Sequence, residues 1–189
     1  MSLFQARTWW EAPTPQGEDG HYDVGCQCVG NIDNDPSGSQ KIVVGSYNGM
    51  VRVYHPQARE YRVDHLCMEQ KLQHPVIQVL AGRFVNASSD IFLAVLHPRH
   101  LAVYACRTAA SGGALQYYNF QVVYEHNIER PCFNMCMGTF GALHGRDSIA
   151  VQSIDGVLFV FEQESFSFKR QLPDFLVPGP IAYNPKTDS

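Results

Sequence analysis

The chain has 189 residues and a net charge of −4, with 45% hydrophobic and 17% charged residues. This length suits one domain. The charged fraction is below the usual value of about 25%, which fits a chain that buries much of its surface, including against partners. Lys and Arg form no cluster, so the electrostatic footprint of nucleic-acid binding is missing.

No apolar run approaches the roughly 18–20 residues of a membrane-spanning helix, so no transmembrane segment is predicted. The first ten residues lack the apolar core of a signal peptide. We therefore expect a cytoplasmic protein whose six cysteines are reduced thiols.

Three hairpin-like segments recur at intervals of roughly 50 residues, a repeat length typical of propeller blades. When they are aligned at their C-terminal ends, an aromatic residue coincides in each copy: Tyr54, Tyr104 and Phe161. Asn48-Gly49 in the first copy falls on Asp155-Gly156 in the third. Both pairs predict a two-residue type I′ turn, because Asx-Gly tolerates the positive φ angles of that turn. Pro98-Arg99 in the second copy predicts a turn of another type.

A second block precedes the later hairpins and predicts a first strand for each unit. Pro75-x6-Gly82-x-Phe84 matches Pro131-x6-Gly138-x-Phe140 position for position. A more polar segment follows each hairpin and predicts an outer strand: 65–72, 120–124 and 166–172. Four strands in about 50 residues indicate one blade of a β-propeller.

The predicted fold class is all-β, a partial β-propeller of three four-stranded blades plus the first strand of a fourth. We place the blades at residues 21–73, 74–130 and 131–177. The fourth would begin in 178–189, at Pro180-Ile181-Ala182-Tyr183. Residues 1–20 form an N-terminal segment that could supply a ring-closing strand. Complete propellers have four to eight blades, so we expect further residues or partner chains to cover the two outer faces.

Asn31, Asp33 and Asp35 form an oxygen-rich loop that could bind calcium. Pro36 stands where calcium loops carry Gly, and Lys41 lies near the place of a further carboxylate. The alternative is an Asx-rich turn.

The remaining sequence shows no catalytic motif, so no catalytic residue and no cofactor are predicted. Cys26-x-Cys28 and Cys132-x3-Cys136 would each lie on one face of a strand, where small apolar packing is the simpler interpretation than zinc. Trp9-Trp10 either anchors a partner or packs on a neighbouring blade. Tyr117-Tyr118 follows a flexible Gly-containing stretch and could form a contact surface at the rim.

Several stretches spread over the chain resemble one known family: Met1–Trp10, Tyr124–Asn127, Gly145–Asp147, Asp155-Gly156, Val160–Ser165 and Leu172–Pro180. The family is that of Bardet–Biedl syndrome protein nine, also called the parathyroid hormone-responsive B1 proteins. Residues 56–64 and 108–118 show no clear match.

The resemblance implies an N-terminal β-propeller and membership of the BBSome, a coat-like adaptor that carries membrane proteins into and out of cilia. It implies a non-enzymatic scaffold that takes part in cilium assembly and contacts other BBSome subunits. It would meet ciliary cargo and membranes only through the complex. The implied locations are the cytoplasm, the cilium, the ciliary base or basal body, and centriolar satellites.

Two alternatives remain from the residues alone. One is a calcium-stabilised, integrin-like adhesion propeller that uses the Asn31–Asp35 loop. The other is a propeller enzyme with catalytic groups in its central channel, which sequence spacing cannot reveal.

Overall fold

A computed structural model describes residues 4–5, 7–13, 21–109, 117–142, 145–173 and 177–188. These residues form twelve β-strands and no α-helix. Three single-turn 3₁₀ segments occur, at Val24–Cys26, Val63–His65 and Phe140–Ala142. None of the described helical turns could cross a membrane.

The strands form three four-stranded antiparallel sheets, each arranged in chain order. Sheet 1 contains β1 Gln27–Gly30, β2 Lys41–Gly45, β3 Met50–Tyr54 and β4 Leu66–Lys71. Sheet 2 contains β5 Gln78–Gly82, β6 Phe92–His97, β7 His100–Ala109 and β8 Tyr117–Asn127. Sheet 3 contains β9 Cys132–Gly138, β10 Ser148–Ser153, β11 Val157–Glu162 and β12 Ser165–Gln171. The predicted all-β fold of four-stranded propeller units is confirmed.

The core lies between the sheets. One buried cluster joins sheet 1 to sheet 2 and includes Val43, Val53 and Leu93. The other joins sheet 2 to sheet 3 and includes Phe92, Leu96 and Phe159. Sheet 2 is therefore buried on both faces, and its strand β6 is buried at every position. Since both faces of β6 pack on other sheets, its sequence is apolar from Phe92 to Leu96 and ends at the buried His97.

The repeated aromatic residue marks a bulge in every sheet. Pairing between the third and outer strands shifts immediately before Tyr54, Tyr104 and Phe161. One extra residue of the outer strand is accommodated there, at Cys67, Val123 and Ser167 respectively. A bulge bends the strand and increases its twist. The aligned aromatics therefore have a common structural position. Tyr104 and Phe161 face the preceding sheet, whereas Tyr54 faces the outer side of sheet 1.

The predicted type I′ turns at Asn48-Gly49 and Asp155-Gly156 are wrong. Only the glycines have positive φ, 85° at Gly49 and 82° at Gly156, whereas a type I′ turn requires it at both central residues. Three residues instead separate Ser46 from Met50 and Ser153 from Val157, and the glycine N–H donates to the Ser46 or Ser153 carbonyl. This pattern is that of a type I turn followed by a left-handed glycine.

A serine explains why the longer loop forms at both places. Ser153 Oγ lies 2.6 Å from Asp155 Oδ1 and accepts a bond from the Val157 N–H at 2.8 Å. In the first hairpin, Ser46 Oγ likewise contacts Asn48 Oδ1 and accepts from the Met50 N–H. The signal in the sequence was therefore Ser-x-Asx-Gly and not Asx-Gly alone.

Residues 177–188 contain no assigned strand, in contrast to the strand predicted at Pro180–Tyr183. A strand is defined by ladder hydrogen bonds, and the described residues offer this segment no further strand to pair with. The segment nevertheless packs on sheet 3. Tyr183 lies directly over Gly138, where a Cβ would come within 2.2 Å of the tyrosine ring.

Candidate interaction surfaces

The outer face of sheet 1 is covered in part by an N-terminal strap, residues 7–13. Trp10 packs edge-on against Tyr54, with ring centroids 5.5 Å apart, and also contacts Tyr61. Its indole N–H donates to Nδ1 of the buried His65 at 3.3 Å. Trp9, by contrast, is 65% exposed. Trp10 thus packs within the chain, whereas the Trp9 side chain is available to a partner.

A cavity of about 410 Å³ lies between the strap and this face of sheet 1. Its walls include Ile42, Val44 and Arg52. The guanidinium of Arg52 is buried and forms an ion pair with Glu69 at 2.6 Å. The strap therefore covers the face without filling it.

The proposed calcium loop is built around an internal cation. The Lys41 ammonium lies 2.8 Å from Asp33 Oδ1 and 3.4 Å from Asp35 Oδ2, and Lys41 is completely buried. The Asn31 side chain closes the loop through two bonds with the backbone of Asp35. The pKa of Asp35 is lowered, mainly by hydrogen bonds from Ser37 and also by Lys41. The ammonium thus supplies the positive charge that these carboxylates require.

Tyr118 belongs to the same arrangement. Its hydroxyl hydrogen-bonds the Asp33 carboxylate, and burial together with that carboxylate raises the pKa of Tyr118. The β7–β8 hairpin is longer than those of the other sheets and leans on sheet 1, where the Phe120 N–H donates to Gln70 Oε1 at 3.2 Å. Tyr118 thus contacts the interior. The side chain of Tyr117 lies outside the described part of the chain.

Two side-chain amides clamp neighbouring sheets together. Asn34 accepts from the Ile91 N–H at 2.7 Å and donates to the Ile91 carbonyl at 3.0 Å. Gln78 makes the same pair of bonds with Met135, at 2.7 and 2.8 Å. Each clamp satisfies a peptide group that would otherwise be buried without a partner.

The cysteines behave as apolar residues. Burial raises the pKa of Cys28, Cys106 and Cys132 to about 12, so these thiols stay protonated. In the described part of the chain, no His, Cys, Asp or Glu side chains form a group that could hold a metal ion. Cys26 instead directs its Sγ at the carbonyls of Val76 and Ile77.

Sequence reasoning missed a histidine cluster at the hairpin turn of sheet 2. His74, His97 and His100 have ring centroids 5.5–5.7 Å apart. His97 is buried, and its Nδ1 bonds the Pro75 carbonyl at 2.8 Å. Burial and, to a smaller extent, the neighbouring imidazoles lower the pKa of His97 to about 4 despite that bond. The sequence His-Pro-Arg-His indicates part of this cluster. Residues that flank a two-residue turn become cross-strand partners, as His97 and His100 do.

The outer face of sheet 3 is apolar and forms part of a cavity of about 620 Å³. Leu158, Val160 and Phe168 line it from the sheet, and Tyr183 lines it from the C-terminal segment. Two cross-strand neighbours on this sheet, Asn134 and Gln152, each have a buried amide oxygen without a hydrogen-bond partner. The Asn134 amide nitrogen donates to the Gly179 carbonyl at 2.8 Å.

Three stacked four-stranded antiparallel sheets with open outer faces define a protein of the β-propeller class. A family model described as PTHB1 N-terminal matches residues 1–189. The chain belongs to the PTHB1 N-terminal family.

Curated relatives agree with this family. Protein PTHB1 of Xenopus laevis and that of Homo sapiens are each 44% identical over 196 residues. Both alignments cover 100% of this chain, but 23% and 22% of the respective relatives. The Caenorhabditis elegans homologue is 27% identical over 144 residues, or 76% of this chain and 18% of that relative. The chain thus spans less than a quarter of these relatives' length.

Solved structures similar in fold include one titled as BBS1N in complex with ARL6DN, soaked with lead. It is 13% identical, with a TM-score of 0.43, and the alignment covers 93% of this chain and 64% of that one.

Proposed function

We propose that this chain is a non-enzymatic protein-interaction scaffold, the propeller part of a BBSome subunit that functions in ciliary membrane-protein trafficking and cilium assembly. The observation that carries the proposal is the PTHB1 N-terminal family match over the whole chain. The 44% identity to vertebrate PTHB1 proteins supports it. The apolar outer face of sheet 3 is a surface suited to protein contact.

Other BBSome subunits are the proposed partners. Ciliary membrane-protein cargo and the membrane itself would be reached through the assembled complex. The proposed locations are the cytoplasm, the cilium, the ciliary base or basal body, and centriolar satellites. Two exposed apolar side chains are available for such contacts. They are Trp9 and Ile154, which lies at the tip of the third hairpin and is 50% exposed.

Affinity purification of the tagged chain from ciliated cells tests the proposal, with immunoblots for individual BBSome subunits. We expect these subunits to be recovered, and we expect tagged human PTHB1 to recover them as a positive control. Trp9→Ser and Ile154→Ser should reduce recovery if these side chains are contacts, while circular dichroism confirms that each variant is folded. Recovery of the subunits with human PTHB1 but not with this chain would contradict the proposal that this chain binds other BBSome subunits.

A further inference from the structure

A cavity of about 250 Å³ lies between the outer strands of sheets 2 and 3. Three phenylalanines form its apolar wall: Phe159 and Phe161, which are buried, and Phe166, which is 50% exposed. His126 of sheet 2 stacks on Phe161 with ring centroids 4.7 Å apart, and Phe166 packs edge-on against the same ring at 5.7 Å. This space, which we call the rim cavity, is therefore lined mainly by aromatic rings.

At the junction between sheets 1 and 2, an aromatic ring occupies a position that has a glutamate at the other junction. In sheet 2, Val122 of the outer strand pairs with Tyr104, the aromatic residue at the bulge. Phe120 lies two residues before Val122, and its buried ring packs on Tyr104 with centroids 5.8 Å apart. An aromatic side chain of the outer strand therefore belongs to the buried cluster at this junction.

The outer strand of sheet 3 differs at the matching position. Phe166 pairs with Phe161, the aromatic residue at the bulge, so the residue that corresponds to Phe120 is Glu164. The Glu164 side chain is exposed, and its Oε1 accepts a bond from the Asn86 N–H at 2.9 Å. The rim cavity thus lies at the junction where the repeat carries a glutamate in place of a phenylalanine.

The chemistry of the rim cavity favours a neutral, apolar occupant. Its charged lining residues, Glu129 and Lys169, are both about half exposed and pair with each other. Burial lowers the pKa of His126, which favours the neutral imidazole. Phe159 and Phe161 also belong to the buried cluster that joins sheets 2 and 3, so an apolar group in the cavity would extend an existing interface.

We propose that the rim cavity binds one aromatic side chain of a partner protein, which supplies the ring that Phe120 supplies at the other junction. Aromatic side chains suit such a site because they bury a large apolar area and pack edge-on or offset against neighbouring rings. Strand β12 beside the cavity is exposed at every position, so an extended segment of the partner can lie along it. The site requires a protein partner but not a BBSome subunit, so it stands or falls separately from the proposed function.

Nuclear magnetic resonance titration of the purified chain with N-acetylphenylalaninamide tests this site. We expect saturable shifts of the Asn127 and Lys169 amide signals, and binding about tenfold weaker for N-acetylleucinamide, which lacks the ring. Phe166→Ser should also weaken binding about tenfold. Phe133→Ser is the matched control and should bind like the wild type, because Phe133 is 40% exposed on the same sheet but does not line the cavity. No saturable shift in the wild type, equal binding of the two amides, or unchanged binding by Phe166→Ser would overturn the proposal.

A second variant places the missing ring within the chain. Glu164→Phe should occupy the rim cavity as Phe120 occupies the other junction, and it should weaken binding of N-acetylphenylalaninamide about tenfold. Glu164→Gln is its control, since it removes the charge without adding a ring, and it should bind like the wild type. Circular dichroism confirms that each variant is folded. Equal affinity in these two variants would overturn the correspondence between Glu164 and Phe120, and the proposal with it.

Discussion

Two junctions join the three sheets, the first between sheets 1 and 2 and the second between sheets 2 and 3. The sheets share one topology, but the two junctions differ in chemistry. The first contains a completely buried lysine between two aspartates, and its apolar part is mostly aliphatic. The second contains four buried phenylalanines and no buried ion pair among the described residues: Phe84, Phe92, Phe159 and Phe161. A side-chain amide clamps the backbone of the next sheet in both.

The comparison distinguishes features that recur in every sheet from features that occur at one junction only. The strand order, the bulge and the aromatic residue recur because the geometry of stacking requires them. The Lys41 group occurs at one junction only, in the described residues, and Pro36 and the Asx residues of its loop have no counterpart in the other repeats. The two junctions should therefore respond differently to charge removal and to acid.

The largest effect is expected from Lys41→Met. It leaves the carboxylate of Asp33, which is 4% exposed, without its cation. Breaking a buried ion pair by removing one partner costs about 3–5 kcal/mol. Urea unfolding followed by far-ultraviolet circular dichroism should show a loss of this size in the free energy of unfolding.

The double variant Lys41→Met/Asp33→Asn gives the matched comparison. Replacing both charges removes the uncompensated carboxylate, so the double variant should recover much of the stability lost in the single one. Equal losses in the two variants would show that Lys41 acts through packing and not through its charge.

The second prediction concerns acid and the histidines of sheet 2. Since the pKa of His97 is about 4 in the folded chain and about 6.5 when unfolded, the unfolded state binds a proton first as the pH falls. The contribution of His97 to stability is complete above about pH 6.5 and is lost progressively toward pH 4. The loss reaches about 3 kcal/mol, at 1.36 kcal/mol per pKa unit.

His97→Gln should flatten this pH dependence, because glutamine can still donate to the Pro75 carbonyl but does not titrate. His100 and His126 contribute in the same direction, since burial lowers the pKa of each. His74 and Glu125 are further titratable neighbours of His100, and Glu129 and Lys169 line a cavity with His126. Free energies of unfolding measured between about pH 6.5 and pH 5 provide the check, before most carboxylates titrate. An identical slope in wild type and variant would contradict the assignment.

The recurring features were readable from the sequence, whereas the buried polar groups were not. Tyr54, Tyr104 and Phe161 could be aligned because stacking demands the same apolar shape in each unit. In the sequence, Lys41 argues only against calcium, since nothing local indicates that a lysine in a strand faces inward to meet Asp33. Likewise, Gln78 and Met135 are far apart in the chain and meet only after the sheets stack, so no spacing rule identifies their clamp.

The third prediction compares two equivalent amides. Gln78→Leu should leave the N–H and carbonyl of Met135 buried without side-chain partners, at a cost of about 1–3 kcal/mol. Asn134→Leu, at the matching position of sheet 3, should cost less, because Asn134 makes one bond to Gly179 and its other amide atom is unpartnered. Urea unfolding ranks the two variants, and faster amide exchange at Met135 should accompany the first.

The smallest effect is expected where a charge pair crosses the second junction at its surface. Lys169 on β12 pairs with Glu129, and the two side chains are 53% and 56% exposed. The hydrogen bond from Lys169 lowers the pKa of Glu129, but water and salt screen such pairs strongly. Lys169→Met should therefore leave the midpoint of urea unfolding unchanged within error, at low and at high salt. A midpoint shift as large as that of Lys41→Met would contradict this expectation. It would mean that the exposed Lys169–Glu129 pair stabilises the second junction as strongly as the buried Lys41–Asp33 pair stabilises the first.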